Sequence, residues 1–145
     1  MKRLCTFLAL WLLAAAAPAS GLAAQDTTQM AQAAEPMLTV TDAMVARSVL
    51  DREPQDTGTA FPADVGQLVF WTKVAGAPAG VETTIHHVWF HGDTEVGDVE
   101  LRVAGSPWRT WSRKTVPPDW TGAWHVEVRD ASGAVLKRVD FTVGQ

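Results

Sequence analysis

The sequence contains a single cysteine, Cys5, and this residue lies inside an apolar segment at the start of the chain. A domain that follows this segment cannot form an internal disulfide, so its stability must come from a packed core. Large apolar side chains are available for that purpose. Six of the seven tryptophans and four of the five phenylalanines lie beyond residue 24.

Positive charge is also scarce. The chain has 12 Lys and Arg residues against 16 Asp and Glu, a formal net charge of −4. Nucleic-acid binding depends on neutralising phosphates, and binding to an anionic membrane depends on clustered basic residues. No basic cluster is present, so neither is predicted as a partner.

Long hydrophobic runs are missing after the first two dozen residues. At the start, Lys2 and Arg3 precede the uncharged apolar stretch 4–17, and small residues follow at 19–24. This is the pattern of a secretory signal peptide. Residues 1–24 are therefore predicted to direct export, with cleavage after Ala23 or, less favourably, after Ala24.

The alternative is that this segment stays in place as a membrane anchor. Pro18 and Gly21 interrupt the apolar run before it reaches the roughly 20 residues that a membrane helix needs. Cleavage is the favoured prediction.

Two further regions follow. Residues 25–41 are rich in Gln, Thr and Ala and are predicted to form a flexible leader. Residues 42–145 consist of short apolar runs separated by Gly, Pro and Asp, a texture typical of successive strands and turns.

The clearest strand is 123–129, in which Trp124, Val126 and Val128 alternate with polar residues. A turn at 130–133 and a second strand at 135–143 complete a predicted hairpin. Five other segments have strand character: 43–50, 68–74, 84–91, 97–103 and 108–115.

Seven short strands in about 100 residues indicate an all-β fold, an immunoglobulin-like antiparallel sandwich. The cysteine pair and the tyrosine corner of antibody domains are absent, since the chain has one cysteine and no tyrosine. The class therefore rests on the number and spacing of the strands, and a small barrel is the alternative.

Four motifs together resemble a known family. They are DREP at 51–54, His-x-Trp at 87–89, WRTWSRK at 108–114, and Gly-x-Trp at 122–124 followed by V-x-V-x-D-x-x-G. In order and spacing this set is similar to the bacterial domain-of-unknown-function family numbered 2914, over about residues 43–143. The resemblance implies a proteobacterial protein behind a signal peptide or membrane segment, and it implies no established activity or cofactor.

A metal site is considered because His86, His87, His91 and Asp93 lie close in sequence. On a strand, neighbouring residues point to opposite faces, and residues 87 and 91 lie about 13 Å apart. No metal site is predicted. His87 is expected to be partly buried beside Trp89, and His91 to lie at a turn.

Catalysis is considered for the carboxylates and for Ser112. A glycosidase-like pair could be drawn from several acidic residues, but charges of both signs also stabilise loops and strand ends. Ser112 lacks a Gly-x-Ser-x-Gly elbow. The sequence therefore predicts no enzyme and no cofactor. The acidic residues concerned are Asp51, Glu53, Glu95, Asp98 and Asp119.

Tryptophan and arginine provide the candidate binding residues. Two tryptophans three residues apart on one strand must point to opposite faces, so at least one is a candidate for the surface. A further tryptophan follows a Pro-Pro-Asp turn. The alternative is that long basic side chains simply cover tryptophan rings at the edge of the core. The candidates are Trp108, Arg109, Trp111, Arg113 and Trp120.

The leading hypothesis is a non-catalytic binding or protein-interaction module of the cell envelope, periplasmic or secreted. Its partner would be an envelope protein or a glycan, with a membrane involved only if the signal segment is retained. A glycan-binding accessory domain using Trp111 or Trp120 is the alternative. A carboxylate hydrolase ranks below both, and a structural spacer would also have such a sequence.

Export makes a direct prediction. The mature protein in the periplasmic fraction should begin near Ala24 or Gln25, because the small residues there suit signal peptidase. N-terminal sequencing of the protein from its own cell checks this. A mature chain that begins at Met1 would contradict it.

Overall fold

The computed structural model describes residues 38–144. The predicted signal peptide, 1–24, lies outside the described residues, as does the predicted leader except for its last four positions. Within the described range no helix is long and apolar enough to cross a bilayer. The strands there are β1 (Thr39–Ala46), β2 (Ser48–Leu50), β3 (Glu53–Gln55), β4 (Ala60–Phe61), β5 (Gly66–Ala75), β6 (Thr83–His91), β7 (Thr94–Val103), β8 (Trp108–Val116), β9 (Gly122–Asp130) and β10 (Val135–Val143).

These strands form two main sheets and a small hairpin. One sheet has the order β1-β5-β8, the other has the order β4-β10-β9-β6-β7, and β2 pairs with β3. All neighbours are antiparallel except β4 and β10, which run parallel. The predicted all-β sandwich is confirmed.

Strand order also supports the immunoglobulin-like class. The seven long strands, taken in chain order, occupy the positions of strands A, B, C, C′, E, F and G. β1, β5 and β8 make up the A-B-E sheet, and β7, β6, β9 and β10 make up the C′-C-F-G sheet. The short β4 adds to the outside of the G strand.

The predicted boundaries near the start of the domain differ from the structure. β1 already begins at Thr39, inside the segment 25–41 that the sequence predicts as leader. The predicted strand 43–50 is divided at Arg47, which separates β1 from β2. In both places the weak alternation of apolar residues left the strand ends undefined by local pattern.

The core lies between the two sheets and is rich in aromatic rings. Trp89, Trp124, Phe70 and Phe141 are all nearly inaccessible to solvent. Phe70 meets Trp89 edge-on at 6.2 Å across the sandwich, and Phe141 packs against Trp89 and Trp124 at 6.3 and 6.0 Å. Such pairs add roughly 0.5–1.5 kcal/mol each beyond the burial of their area.

A chain of buried hydrogen bonds also crosses this core. His87 has no solvent exposure, and its Nδ1 lies 2.9 Å from Ser112 Oγ while its Nε2 lies 3.1 Å from Thr72 Oγ1. Trp89 Nε1 donates to Ser112 Oγ at 3.1 Å, and Thr72 Oγ1 donates to the carbonyl of Thr110 at 3.3 Å. His87 and Trp89 belong to one sheet and their partners to the other. The sequence predicts only partial burial of His87, and the structure buries it completely.

The donors in this chain determine the protonation state of His87. The hydroxyl hydrogen of Thr72 is used on a carbonyl, so Thr72 Oγ1 accepts from His87 Nε2–H. Ser112 Oγ accepts from the Trp89 indole and donates its hydrogen to His87 Nδ1. Every polar side-chain atom in this series of hydrogen bonds thus has a partner when His87 is neutral and carries its proton on Nε2. Burial lowers the pKa of His87 to about 3.

The buried imidazole predicts a specific dependence of stability on pH. The ordinary pKa of 6.5 applies to the unfolded chain, so between pH 6.5 and about 3 the unfolded state binds one more proton than the folded state. The free energy of unfolding should therefore decrease as pH falls, by up to about 1.4 kcal/mol per pH unit from this group. The contribution should fade as pH rises through 6.5, since the imidazole is then neutral in both the folded and the unfolded state.

His87→Gln is the matched control, because glutamine keeps one donor and one acceptor but does not titrate. Denaturant unfolding of both proteins at several pH values between 5 and 7 isolates the contribution of His87. Burial also lowers the pKa of His125, but that group is present in both proteins. Equal pH slopes in the two proteins would show that His87 is not held neutral.

Removal of a core ring gives a second prediction. Trp124→Ala should reduce the free energy of unfolding by about 3–5 kcal/mol, because the side chain is 1% exposed and leaves a large cavity. Trp111→Ala, at a half-buried position outside the core, should cost about 1 kcal/mol. Chemical denaturation measures both. A loss below about 1 kcal/mol for Trp124→Ala would place that residue outside the core.

Candidate binding surface

Strand β8 has one face in the core and one face outside. Ser112 is buried, where it bonds His87, and Trp108 packs against the core cluster. Alternate residues of a strand point to opposite sides. Arg109, Trp111 and Arg113 therefore lie on the outer face of the three-stranded sheet, and these three residues are called the β8 patch.

The structure does not bring the five predicted binding residues together on one surface. Trp108 shares the inward side of Ser112 and is half-buried against the core. Its spacing of three from Trp111 is the physical reason, since both cannot face outward on a regular strand.

Trp120 lies at one end of the sandwich, away from the β8 patch. A turn closed by the Trp120 amide and the carbonyl of Pro117, 3.0 Å apart, leads from β8 in one sheet to β9 in the other. The Trp120 ring stacks on His91 at 5.6 Å, and its carbonyl accepts a hydrogen bond from the Trp124 indole at 3.0 Å. Trp120 is thus half-buried as a cover for this end of the core.

A hairpin covers part of the outer face next to the β8 patch. Asp51 and Arg52 connect β2 and β3 with φ angles of 51° and 67°, as a two-residue type I′ turn requires. The Arg52 carbonyl accepts a hydrogen bond from Trp71 Nε1 at 2.9 Å. Trp71, which lies opposite Trp111 on β5, is only 3% exposed because of this cover.

A groove of about 370 Å³ opens between the hairpin and the sheet. Its walls combine the indole of Trp71 and the side chain of Met44 with four charged groups. The groove is the concave part of the outer face, and the surface around Trp111 next to it is the flat part. The lining residues are Asp42, Met44, Glu53, Pro54, Thr57, Trp71, Lys73 and Arg109.

The charges around the groove are paired loosely. Arg109 lies 3.1 Å from Glu53, and Lys73 lies 4.0 Å from Asp42, with all four side chains between 33% and 49% exposed. Exposed pairs of this kind contribute about 0–1 kcal/mol each, so a ligand can displace them. Arg113 is exposed and makes no ion pair within residues 38–144.

Met44 and Lys73 are groove residues that the sequence did not indicate. Lys73 is two residues beyond Trp71 and so shares its face, a signal visible in the sequence. The run 68–74 is apolar on both faces at its start, however, so the sequence alone does not show which side of the sheet Trp71 occupies. Trp71 is buried by the hairpin and is not part of the cluster between the sheets.

The outer face of the five-stranded sheet is occupied by groups that satisfy one another. Phe90 and His125 stack at 4.4 Å, and Arg129 lies over Phe90 while bonding Glu127. Burial and the charge of Arg138 lower the pKa of His125. This face therefore presents a self-contained polar layer.

Several residues considered for metal binding or catalysis also have separate partners. His86 contacts Asp98 at 2.8 Å on the outer face of the five-stranded sheet, and His91 Nε2 donates to the carbonyl of Thr121. Glu53 pairs with Arg109 beside the other sheet. Among residues 38–144 no three His, Cys, Asp or Glu side chains converge to hold a metal ion.

Comparison with known proteins finds similar solved structures and a matching family model. No curated protein matches the sequence. Among solved structures, a mutant β-glucosidase from Listeria innocua in complex with laminaribiose is 8% identical with a TM-score of 0.45, over 77% of this chain and 16% of that one. An engineered protein is 14% identical with a TM-score of 0.38, over 77% of this chain and 20% of that one. This chain spans a fifth of their length or less.

A family model matches residues 82–143, which contain strands β6 to β10 and all five predicted binding residues. The β2–β3 hairpin lies outside the matched segment. The family is described as a protein of unknown function and is numbered 2914. The match confirms, over these residues, the resemblance to the family of proteins of unknown function numbered 2914 that the motifs indicate.

Proposed function

We propose that this domain is a non-catalytic protein-interaction module of the bacterial cell envelope and that the β8 patch is its binding surface. The observation that carries the proposal is a half-buried tryptophan, Trp111, flanked by two exposed arginines on a sheet face. Tryptophan and arginine are among the residues most enriched at the positions that dominate the binding energy of protein interfaces.

The shape of the surface favours a macromolecular partner. Trp111 lies on an open face, and the adjacent groove is bordered by exposed and loosely paired charges. Enclosed apolar pockets, which bury most of a small ligand, are the usual sites for small molecules. A partner that covers the face can bury Trp111 in its centre and exchange the charges at the rim.

The non-catalytic part of the proposal rests on the one serine–histidine pair between the sheets. Ser112 and His87 are hydrogen-bonded at 2.9 Å, but they are 4% and 0% exposed. A nucleophile must reach its substrate, so this pair serves the core instead. The envelope location rests on the predicted signal peptide at residues 1–24.

A glycan-binding role is the second candidate, and it is favoured by a different residue. The Trp120 ring is half-buried, with one side stacked on His91 at an interplanar angle of 6°. A flat ring fixed in this way is a suitable platform for a sugar. Because Trp120 and Trp111 lie in different places, the two functions predict different sensitive residues.

The test is capture of envelope proteins by the tagged mature domain. Trp111→Ala should reduce capture of its partner at least about tenfold, as expected for a central anchor residue. Arg113→Glu should weaken capture more at low salt than at high salt, because an exposed charge is screened. Trp120→Ala is the matched control and should leave protein capture unchanged.

Thermal unfolding of the same three variants shows whether each one is folded. Protein capture that depends on Trp120 but not on Trp111 would contradict the assignment of the surface. Binding on a glycan array that is lost in Trp120→Ala would favour the second candidate.

A further inference from the structure

Strand β8 forms one edge of the three-stranded sheet. The sheet order is β1-β5-β8, so within residues 38–144 no strand pairs with the far side of β8. Its nine pairs with β5 follow one register without a bulge. A regular, unpaired edge is the template onto which another extended chain can add.

The direction of the backbone groups on β8 can be derived from β1. The Val45 carbonyl accepts from the Gly58 amide at 3.1 Å, so the backbone groups of Val45 point away from β5. Val45 lies opposite Phe70, which is therefore at a position without hydrogen bonds to β1. The backbone groups of Phe70, and those of Thr72 two residues further on, point to β8.

Phe70 and Thr72 lie opposite Ser112 and Thr110, which are thus the hydrogen-bonded positions of β8. The bond from Thr72 Oγ1 to the Thr110 carbonyl agrees with this direction. The intervening residues must direct their N–H and C=O groups to the open edge. They are the residues of the β8 patch, Arg109, Trp111 and Arg113.

The open edge and the β8 patch therefore coincide. Three successive outward positions present a basic, an aromatic and a basic side chain beside unpaired backbone groups. Lys114 adds a third positive charge to β8, which has no acidic residue, whereas the whole chain is acidic. Lys114 is engaged with the carbonyl of Val96, and Arg109 with Glu53, so Arg113 is the cation left open to a partner.

The opposite sheet has a different edge. β7 pairs with β6 through a bulge between Trp89 and Phe90, and its exposed side includes Glu95, Asp98 and Glu100. A bulge and like charges make an edge unsuitable for strand addition. Of these two edges, only β8 is regular and basic.

We infer that the partner of this domain adds an extended segment as a strand to the open edge of β8, with an apolar side chain opposite Trp111 and a carboxylate opposite Arg113. In antiparallel pairing, directly opposed side chains lie on the same face, so this pattern matches the β8 patch. The inference rests on the proposed function and specifies the chemistry of the partner.

The experiment uses a parent peptide, two N-methylated isomers of it, a lysine-substituted control peptide and the mature domain. The parent probe is the nine-residue peptide TTETVTETT. Its central glutamate, valine and glutamate alternate with threonine. One isomer is N-methylated on the glutamate and valine residues, whose amides would point to β8. The other isomer carries its three N-methyl groups on threonines at the alternate positions, whose amides would point to solvent.

If a strand is added, the parent and the threonine-methylated probe should bind alike. The other isomer should bind at least about tenfold more weakly, because it loses backbone hydrogen bonds while keeping every charge. Binding of the parent should also slow amide hydrogen exchange at Arg109, Trp111 and Arg113. Arg113→Glu in the domain should weaken binding of the parent probe. It should not weaken binding of a probe with lysine in place of glutamate.

Equal binding of the parent probe and its two N-methylated isomers would overturn strand addition. It would leave a side-chain interaction surface, as the proposed function alone requires. Failure of every probe at millimolar concentration would overturn the acidic-strand inference, while capture of an envelope partner separately decides the proposed function. A domain that is dimeric without probe and already protected at these amides would also overturn it, since the occupant would then be a second copy.

Discussion

The structure depends on one line of hydrogen bonds through the core, from Trp89 through Ser112, His87 and Thr72 to the Thr110 carbonyl. Each atom in it is satisfied only when the imidazole is neutral with its proton on Nε2. Leaving a buried polar group unpaired would cost about 1–3 kcal/mol, so these links oppose any shift of one sheet against the other. Packing of aromatic and aliphatic side chains supplies the burial, and the hydrogen bonds fix the position of one sheet relative to the other.

This constraint also determines which residues of β8 are available outside. Ser112 must point inward to reach His87, and strand geometry then directs Trp111 outward. A slip of one residue would turn Trp111 into the core and the Ser112 hydroxyl into solvent. Because slippage would break two buried hydrogen bonds, the outer face keeps its pattern of arginine, tryptophan and arginine. The binding surface is thus positioned by the core behind it.

Local sequence patterns predicted where the strands lie better than they predicted which parts of the chain meet in the folded domain. The β9–β10 hairpin followed from the alternation around Val126 and the turn at Gly133, since both signals lie within a few residues. The cover over Trp71 did not follow from a local pattern. It depends on a hairpin whose Arg52 carbonyl, 19 residues earlier, meets the Trp71 indole only after folding. The separation of Trp111 from Trp120 likewise depends on β8 and β9 belonging to different sheets. The sequence groups both residues as binding candidates without showing that they lie on different parts of the surface.

An open edge strand is a hazard for any β domain, because identical chains can pair through it. Antiparallel self-pairing of β8 centred on Trp111 would place Arg109 opposite the Arg113 of a second copy, at both ends of the contact. Like charges directly opposite each other destabilise a strand pair, whereas a carboxylate in the same place stabilises it. The same two arginines therefore oppose self-association and select an acidic strand. Glu53 partly neutralises Arg109 in the free domain, so most of this selectivity falls on Arg113.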